Sequence, residues 1–165
     1  VTTEVSAAFP IHFRKENAMY TNILIATDGS ELSEKAVQHG LALAKLCGAK
    51  VTALKVAHHS PHTFYDGSTV QNLEDIRRTE TQWHDKAQQV VDKIVPQGAA
   101  MQVSVTPIVK QTDLIAEAII EVAEHEHCDL IVMASHGYRG LKRLLLGSET
   151  QHVLTHAKTP VLVLR

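Results

Sequence analysis

The chain alternates between short apolar runs and amphipathic stretches. Asn22-Ile-Leu-Ile-Ala26 is a continuous apolar run, as expected of a strand covered on both faces. Thr27-Asp28-Gly29-Ser30 interrupts it, and a helix is predicted to follow. Glu31 and Glu34 would sit in its first turn, where the macrodipole favours acids, and Gly48 would end it. Leu32, Ala36, Val37, Leu41 and Ala44 keep the helical period. Val51 to Ala57 reads as a second strand, and His58 to about Val70 as a polar loop. A long helix is predicted from near Gln71 to Val95, with Trp83, Ala87, Val90 and Ile94 on its apolar stripe and with Pro96 and Gly98 ending it. Gln102 to Thr106 alternates strictly, which suits a strand near a sheet edge. A helix starts at Thr112-Asp113, Leu130 to Ala134 is a fourth, central strand, Ser148 opens the last helix, and Val161 to Leu164 is the last strand.

Strands joined by helices in this way imply an α/β fold with an open parallel sheet and helices on both faces. With 165 residues the chain is expected to form one domain, at 19–165. Val1 to Ala18 has no helical or strand period and no apolar core of a signal peptide. It reads as a mobile N-terminal extension of a cytoplasmic protein.

Composition removes several classes of function. A formal net charge of −2 argues against a broadly basic nucleic-acid binder. No apolar run approaches the ~20 residues of a membrane helix. Aromatic residues make up only 4%, too few for a platform that stacks bases. Cys47 and Cys128 stand apart and read as small buried apolar residues. The eleven histidines show no spacing of a metal site.

In such folds, ligands bind beyond the carboxyl ends of the strands. Three segments fall there: Thr27 to Ser30, Val56-Ala57, and Ala134 to Ser148. The last combines Gly137, Gly140 and Gly147 with Arg139, Lys142 and Arg143. Ser148 and Gln151 have the spacing of a capping box, so a helix N-terminus is expected at Gly147-Ser148. Glycines, basic residues and free helix N–H groups together suit an anion. An ordinary βα loop with a solvated basic face is the other reading of the same residues. The phosphate-binding loop of nucleoside triphosphatases and the dinucleotide fingerprint are both absent. Asp28, Ser30 and His136 could converge at the strand tips, but no catalytic signature contains them.

Gly137, nine residues, then Gly147-Ser148 resembles the second half of the universal stress protein signature, G-x2-G-x9-G-[ST]. Thr27 to Ser30 after the first strand and the ending Thr159 to Arg165 are also similar to that family. The resemblance implies a five-stranded sheet of order 3-2-1-4-5 and a homodimer paired through Val161–Leu164. It also implies a stress-linked regulatory role with ATP, ADP or AMP as ligand, the triphosphate accompanied by Mg²⁺. Asp28 would meet the adenosine, groups near Ala26 and Val56 would bracket the base, and the backbone of Gly137, Gly147 and Ser148 would cradle the phosphates, with Arg139 adding charge. Thr27, Ala134, His136 and Glu149 complete the expected site, Ala134 on the ribose side. No catalytic residue is assigned. A dimeric interaction module without nucleotide and a weak ATPase are the alternatives. One departure stands out: Ala134 occupies the place of the signature's first glycine.

Overall fold

The computed structural model describes residues 18–58, 73–137 and 146–165, without the side chains of 73–76 and 79. Five strands, β1 (Asn22–Ala26), β2 (Lys50–Ala57), β3 (Val105–Gln111), β4 (Leu130–Ala134) and β5 (Val161–Leu164), form one parallel sheet in the order β3-β2-β1-β4-β5. The helices are α1 (Glu31–Cys47), α2 (Leu73–Asp92), α3 (Ile94–Ala100), α4 (Ile115–His125) and α5 (Ser148–His156). The strand order therefore reverses between β1 and β4, as the family resemblance implies.

The continuous apolar runs explain the centre of the sheet. Every residue of β1 and of β4 is buried. Ile23, Ile25, Val51, Ala53 and Val132 pack on one face against α1 and against Val91 and Ile94. Leu24, Leu54, Ile131 and Met133 pack on the other against Ala116, Ile119 and Val122 of α4 and Val153 of α5. Helix α1 has the predicted ends: Ser30 accepts from the Ser33 N–H, and Gly48 adopts φ 68°.

Several boundaries differ from the sequence expectation. Pro96 and Gly98 do not end a helix. The break falls at Lys93, and both residues lie inside α3. Pro96 is tolerated because it sits in the first turn, where an N–H has no intrahelical partner to lose. Gly98 is buried where a side chain would collide with Val105 Cγ2, so its bareness lets α3 lie close to β3. The third strand begins later than Gln102 because the chain first turns back: Gln102 takes φ 62°, and the Val103 N–H returns to the Gly98 carbonyl at 2.8 Å. β3 is nonetheless an edge strand, which accommodates its Pro107. The fourth helix proper starts at Ile115, with Leu114 as its cap. Ser148 is the first residue of α5 rather than its cap; Gly147 takes that place and makes no side-chain capping bond. Trp83 is 45% exposed and does not join the buried stripe; it lies in a stretch of α2, residues 81–86, that is exposed throughout. Cys128 is buried as expected, but Cys47 is only half-buried. Among the described residues no helix is long and apolar enough to cross a membrane.

Candidate functional site

A cleft of about 560 Å³ opens at the carboxyl ends of β1, β2 and β4, where the strand order reverses. Leu54, Val56, Met133, Ile115 and Ile119 give it an apolar floor and wall. Thr27 and Asp28 form one rim, and Gly147 to Thr150 form the other.

The first rim is a tightly bonded turn. The Thr27 N–H donates to Leu54 O at 2.9 Å, extending the β1–β2 pairing. The Gly29 N–H reaches both Thr27 Oγ1 and Ser33 Oγ at 3.1 Å. Asp28 Oδ1 accepts from the Ser30 N–H at 3.0 Å, and Lys55 Nζ donates to the Asp28 carbonyl at 2.7 Å. Burial pulls the Lys55 ammonium below its ordinary pKa, and the nearby Asp28 carboxylate opposes that shift. Asp28 also lies against Gly137, where an added Cβ would stand 2.5 Å from Asp28 Oδ2.

The second rim joins α5 to the end of β4. The Gly147 N–H donates to Ser135 O at 2.9 Å, and Thr150 Oγ1 donates toward Ala134 O and Ser135 O at 3.1 and 3.2 Å. The Gly147 N–H therefore points inward and is not the phosphate donor expected from the sequence. Ser148, Glu149 and Thr150 precede the first intrahelical bond, Gln151 N–H to Gly147 O. Their N–H groups are the ones a helix start leaves for an outside acceptor. Glu149 Oε2 accepts from the Ala116 N–H at 3.0 Å, so the acid of α5 caps α4.

Ala26, Thr27, Asp28, Val56, Ala134, His136, Gly137, Gly147, Ser148 and Glu149 all line this one cleft. Arg139 lies outside the described residues, as do Gly140, Lys142, Arg143 and the rings of Phe64, Tyr65 and Tyr138. Asp28, Ser30 and His136 form no triad. The Ser30 hydroxyl caps α1, while His136 Nδ1 shares a 3.0 Å hydrogen bond with Ser135 Oγ, whose residue is buried. His136 Nε2 is buried without a partner among the described residues. Sequence reasoning missed Lys55 and the α4 wall. A lone cation inside the apolar run of β2 was the available signal for Lys55. Nothing in the chain order of Ile115 and Ile119 marks them as facing this cleft.

An open parallel sheet with an apolar slot, a fixed carboxylate and a helix start at its switch point defines an α/β protein of the doubly wound class, with its cleft where ligands bind in such folds. The chain belongs to the universal stress protein family, whose family model matches residues 19–165. It is 32% identical over 158 residues to Universal stress protein MJ0531 of Methanocaldococcus jannaschii, an alignment covering 92% of this chain and 86% of that one. The solved universal stress protein UspA of Lactobacillus plantarum is 25% identical, with a TM-score of 0.75 over 90% of this chain and all of the other. More distant solved members share the fold at a TM-score of 0.60. They are a universal stress protein in complex with cAMP, 19% identical over 87% of this chain and 95% of the other, and the Archaeoglobus fulgidus protein in complex with dAMP, 18% identical over 88% and 98%.

Proposed function

We propose that this chain binds an adenine nucleotide and acts as a stress-linked regulatory protein rather than as an enzyme. The observation that carries the reading is the convergence of Asp28, Val56 and the Gly137 and Ser148 ends of the glycine loop on one cleft. The Asp28 carboxylate is fixed by its own turn and accepts from ribose hydroxyls. Ala26, Val56 and Met133 enclose the base with aliphatic surface, in a chain with few aromatic rings. The N–H groups of Ser148, Glu149 and Thr150 meet the phosphates, and Arg139 adds charge from the loop. Distant relatives solved with cAMP and dAMP support the ligand class. Mg²⁺ would accompany a triphosphate through its phosphate oxygens, because that ion often keeps few protein ligands. The protein is read as cytoplasmic and as a homodimer joined through β5.

Calorimetric titration with AMP, ADP and ATP tests this reading. Saturable 1:1 binding that Asp28→Ala weakens at least tenfold is expected. The absence of both heat and a thermal shift at millimolar nucleotide would overturn it. The dimeric module without nucleotide remains the second reading, favoured by the outer side of β5, where Leu162 is 38% exposed. That module predicts an unchanged dimer when nucleotide binding is absent.

A further inference from the structure

Glu149 brings a negative charge to the expected phosphate site. Its carboxylate lies in the same helical turn whose N–H groups would face the phosphates, and it lines the cleft. It is also anchored. Oε2 accepts from the N–H of Ala116, and the cap of α4, Leu114, makes no side-chain capping bond of its own. Glu149 thus links the positive ends of two helices, and swinging away would leave the Ala116 N–H without its acceptor. A carboxylate in that position already uses part of the potential both helix starts would offer an anion. Among the described residues, the other titratable groups lining the cleft are Asp28, Lys55, His58 and His136. Lys55 Nζ is directed to the Asp28 carbonyl, and His58 Nδ1 faces Asp113 Oδ1 at 3.3 Å. No cationic side chain among the described lining residues bonds to Glu149.

We propose that Glu149 sets the ligand's charge, so that the preferred class is an adenine nucleotide with a single phosphate, free or cyclised, over the di- and triphosphate. The inference rests on the nucleotide reading above. Each added phosphate brings negative charge toward a carboxylate that is held in place. At a partly solvated cleft mouth, one such charge pair weakens binding by about threefold.

The test compares dissociation constants of AMP, ADP and ATP for the wild type and Glu149→Gln, in EDTA at low salt. Glutamine keeps an oxygen to accept from Ala116 but removes the charge. The wild type is expected to bind AMP more tightly than ATP. In Glu149→Gln, ATP should tighten about five- to tenfold and AMP less than about threefold, with the difference shrinking at high salt. Glu149→Asp keeps the charge while shortening the reach to α4. It should keep the wild-type AMP-to-ATP ratio even if it melts earlier, which separates charge from capping. An equal effect of Glu149→Gln on all three nucleotides would mean that the loop cations cancel the carboxylate, and the proposal falls while nucleotide binding stands. Failure of both proteins to bind any of the three overturns the nucleotide reading and this inference together.

Discussion

The ammonium of Lys55 donates to the backbone carbonyl of Asp28 at 2.7 Å, so a cation in β2 holds the turn that presents the acid of β1. With Ser30 N–H on Oδ1, this bond fixes Asp28 from two sides. Lys55→Met keeps most of the side chain's volume and removes the donor. Nucleotide affinity should fall about three- to tenfold, and exchange at the Gly29 and Ser30 amides should speed up in the free protein. The pH dependence has a defined sign. Burial lowers the Lys55 pKa in the folded state, so the unfolded chain binds the extra proton between the lowered value and the ordinary one. Wild-type stability relative to Lys55→Met should therefore rise with pH as the solution passes through the lowered value toward about 10.5, and be lost on returning to neutrality. Urea melts of both proteins from pH 7 upward check this. A difference that stays flat would mean that the folded protein does not disfavour the charged form.

Much of this architecture was legible because burial leaves a simple record. The runs Ile23–Ala26 and Leu130–Ala134 have no polar break and are too short for a helix of ordinary length, which marks them as strands covered on both faces, and they are fully buried. The family signature ordered the strands. Boundaries set by tertiary contact were not legible. Pro96 reads as a stop signal, yet it is harmless in the first turn of α3. Gly98 reads as a terminator, yet it serves close packing against Val105. The cleft's polar rim was visible as turn and loop residues. Its α4 wall was not, because Ile115 and Ile119 look like any other core positions until the helix is docked. The inward donation of the Gly147 N–H depends on where Ser135 lies in space, which no spacing rule contains.

Gly137 tests the contact between the two halves of the site. A Cβ there would stand 2.5 Å from Asp28 Oδ2, so Gly137→Ala must displace the carboxylate. Nucleotide affinity should drop about tenfold, with stability changed by less than about 1 kcal/mol because residue 137 is exposed. In an Asp28→Ala background the same substitution should change affinity by less than twofold. A fully additive double mutant would show that Gly137 acts elsewhere.

Ala134 departs from the family signature, and its surroundings indicate why the change is tolerated. The residue ends β4, pairs with Leu164, is buried, and is not among the residues with positive φ. Nothing in its backbone requires glycine. Ala134→Gly should therefore destabilise the protein by about 1 kcal/mol through added backbone freedom. Nucleotide affinity should move less than threefold. Tightening of tenfold or more would show instead that the Ala134 methyl group intrudes on the ligand.

Asp129 provides a control at the opposite end of the sheet. Its carboxylate accepts from the Thr21 N–H and Thr21 Oγ1 at 2.7 Å and from the Asn22 N–H at 3.2 Å, fastening the start of β1 to β4. Asn22 is itself buried and continues the network to Glu126 O and Thr52 Oγ1. Asp129→Ala removes three acceptor contacts and should lower stability by about 2 kcal/mol. Affinity for AMP measured well below the melting temperature should be unchanged. A loss of affinity matching that of Asp28→Ala would show that the whole sheet shifts when its far end is released.

The proposed dimer can be tested on β5 without touching the cleft. β5 is the outermost strand beside β4, and a bare strand edge invites pairing with another copy across a two-fold axis. Val161 and Val163 pack against the α4–α5 side of the core, so a charge at either would disturb the protomer itself. Leu162 lies on the strand's more open side and is 38% exposed, which makes it the better position for a lysine. Leu162→Lys should leave the melting temperature of the protomer nearly unchanged while light scattering reports monomers at micromolar concentration. Two like charges brought together across a two-fold axis would oppose reassociation, and high salt should partly restore the dimer by screening them. A variant that stays dimeric at low salt would place the interface elsewhere and leave the edge of β5 without a role in assembly.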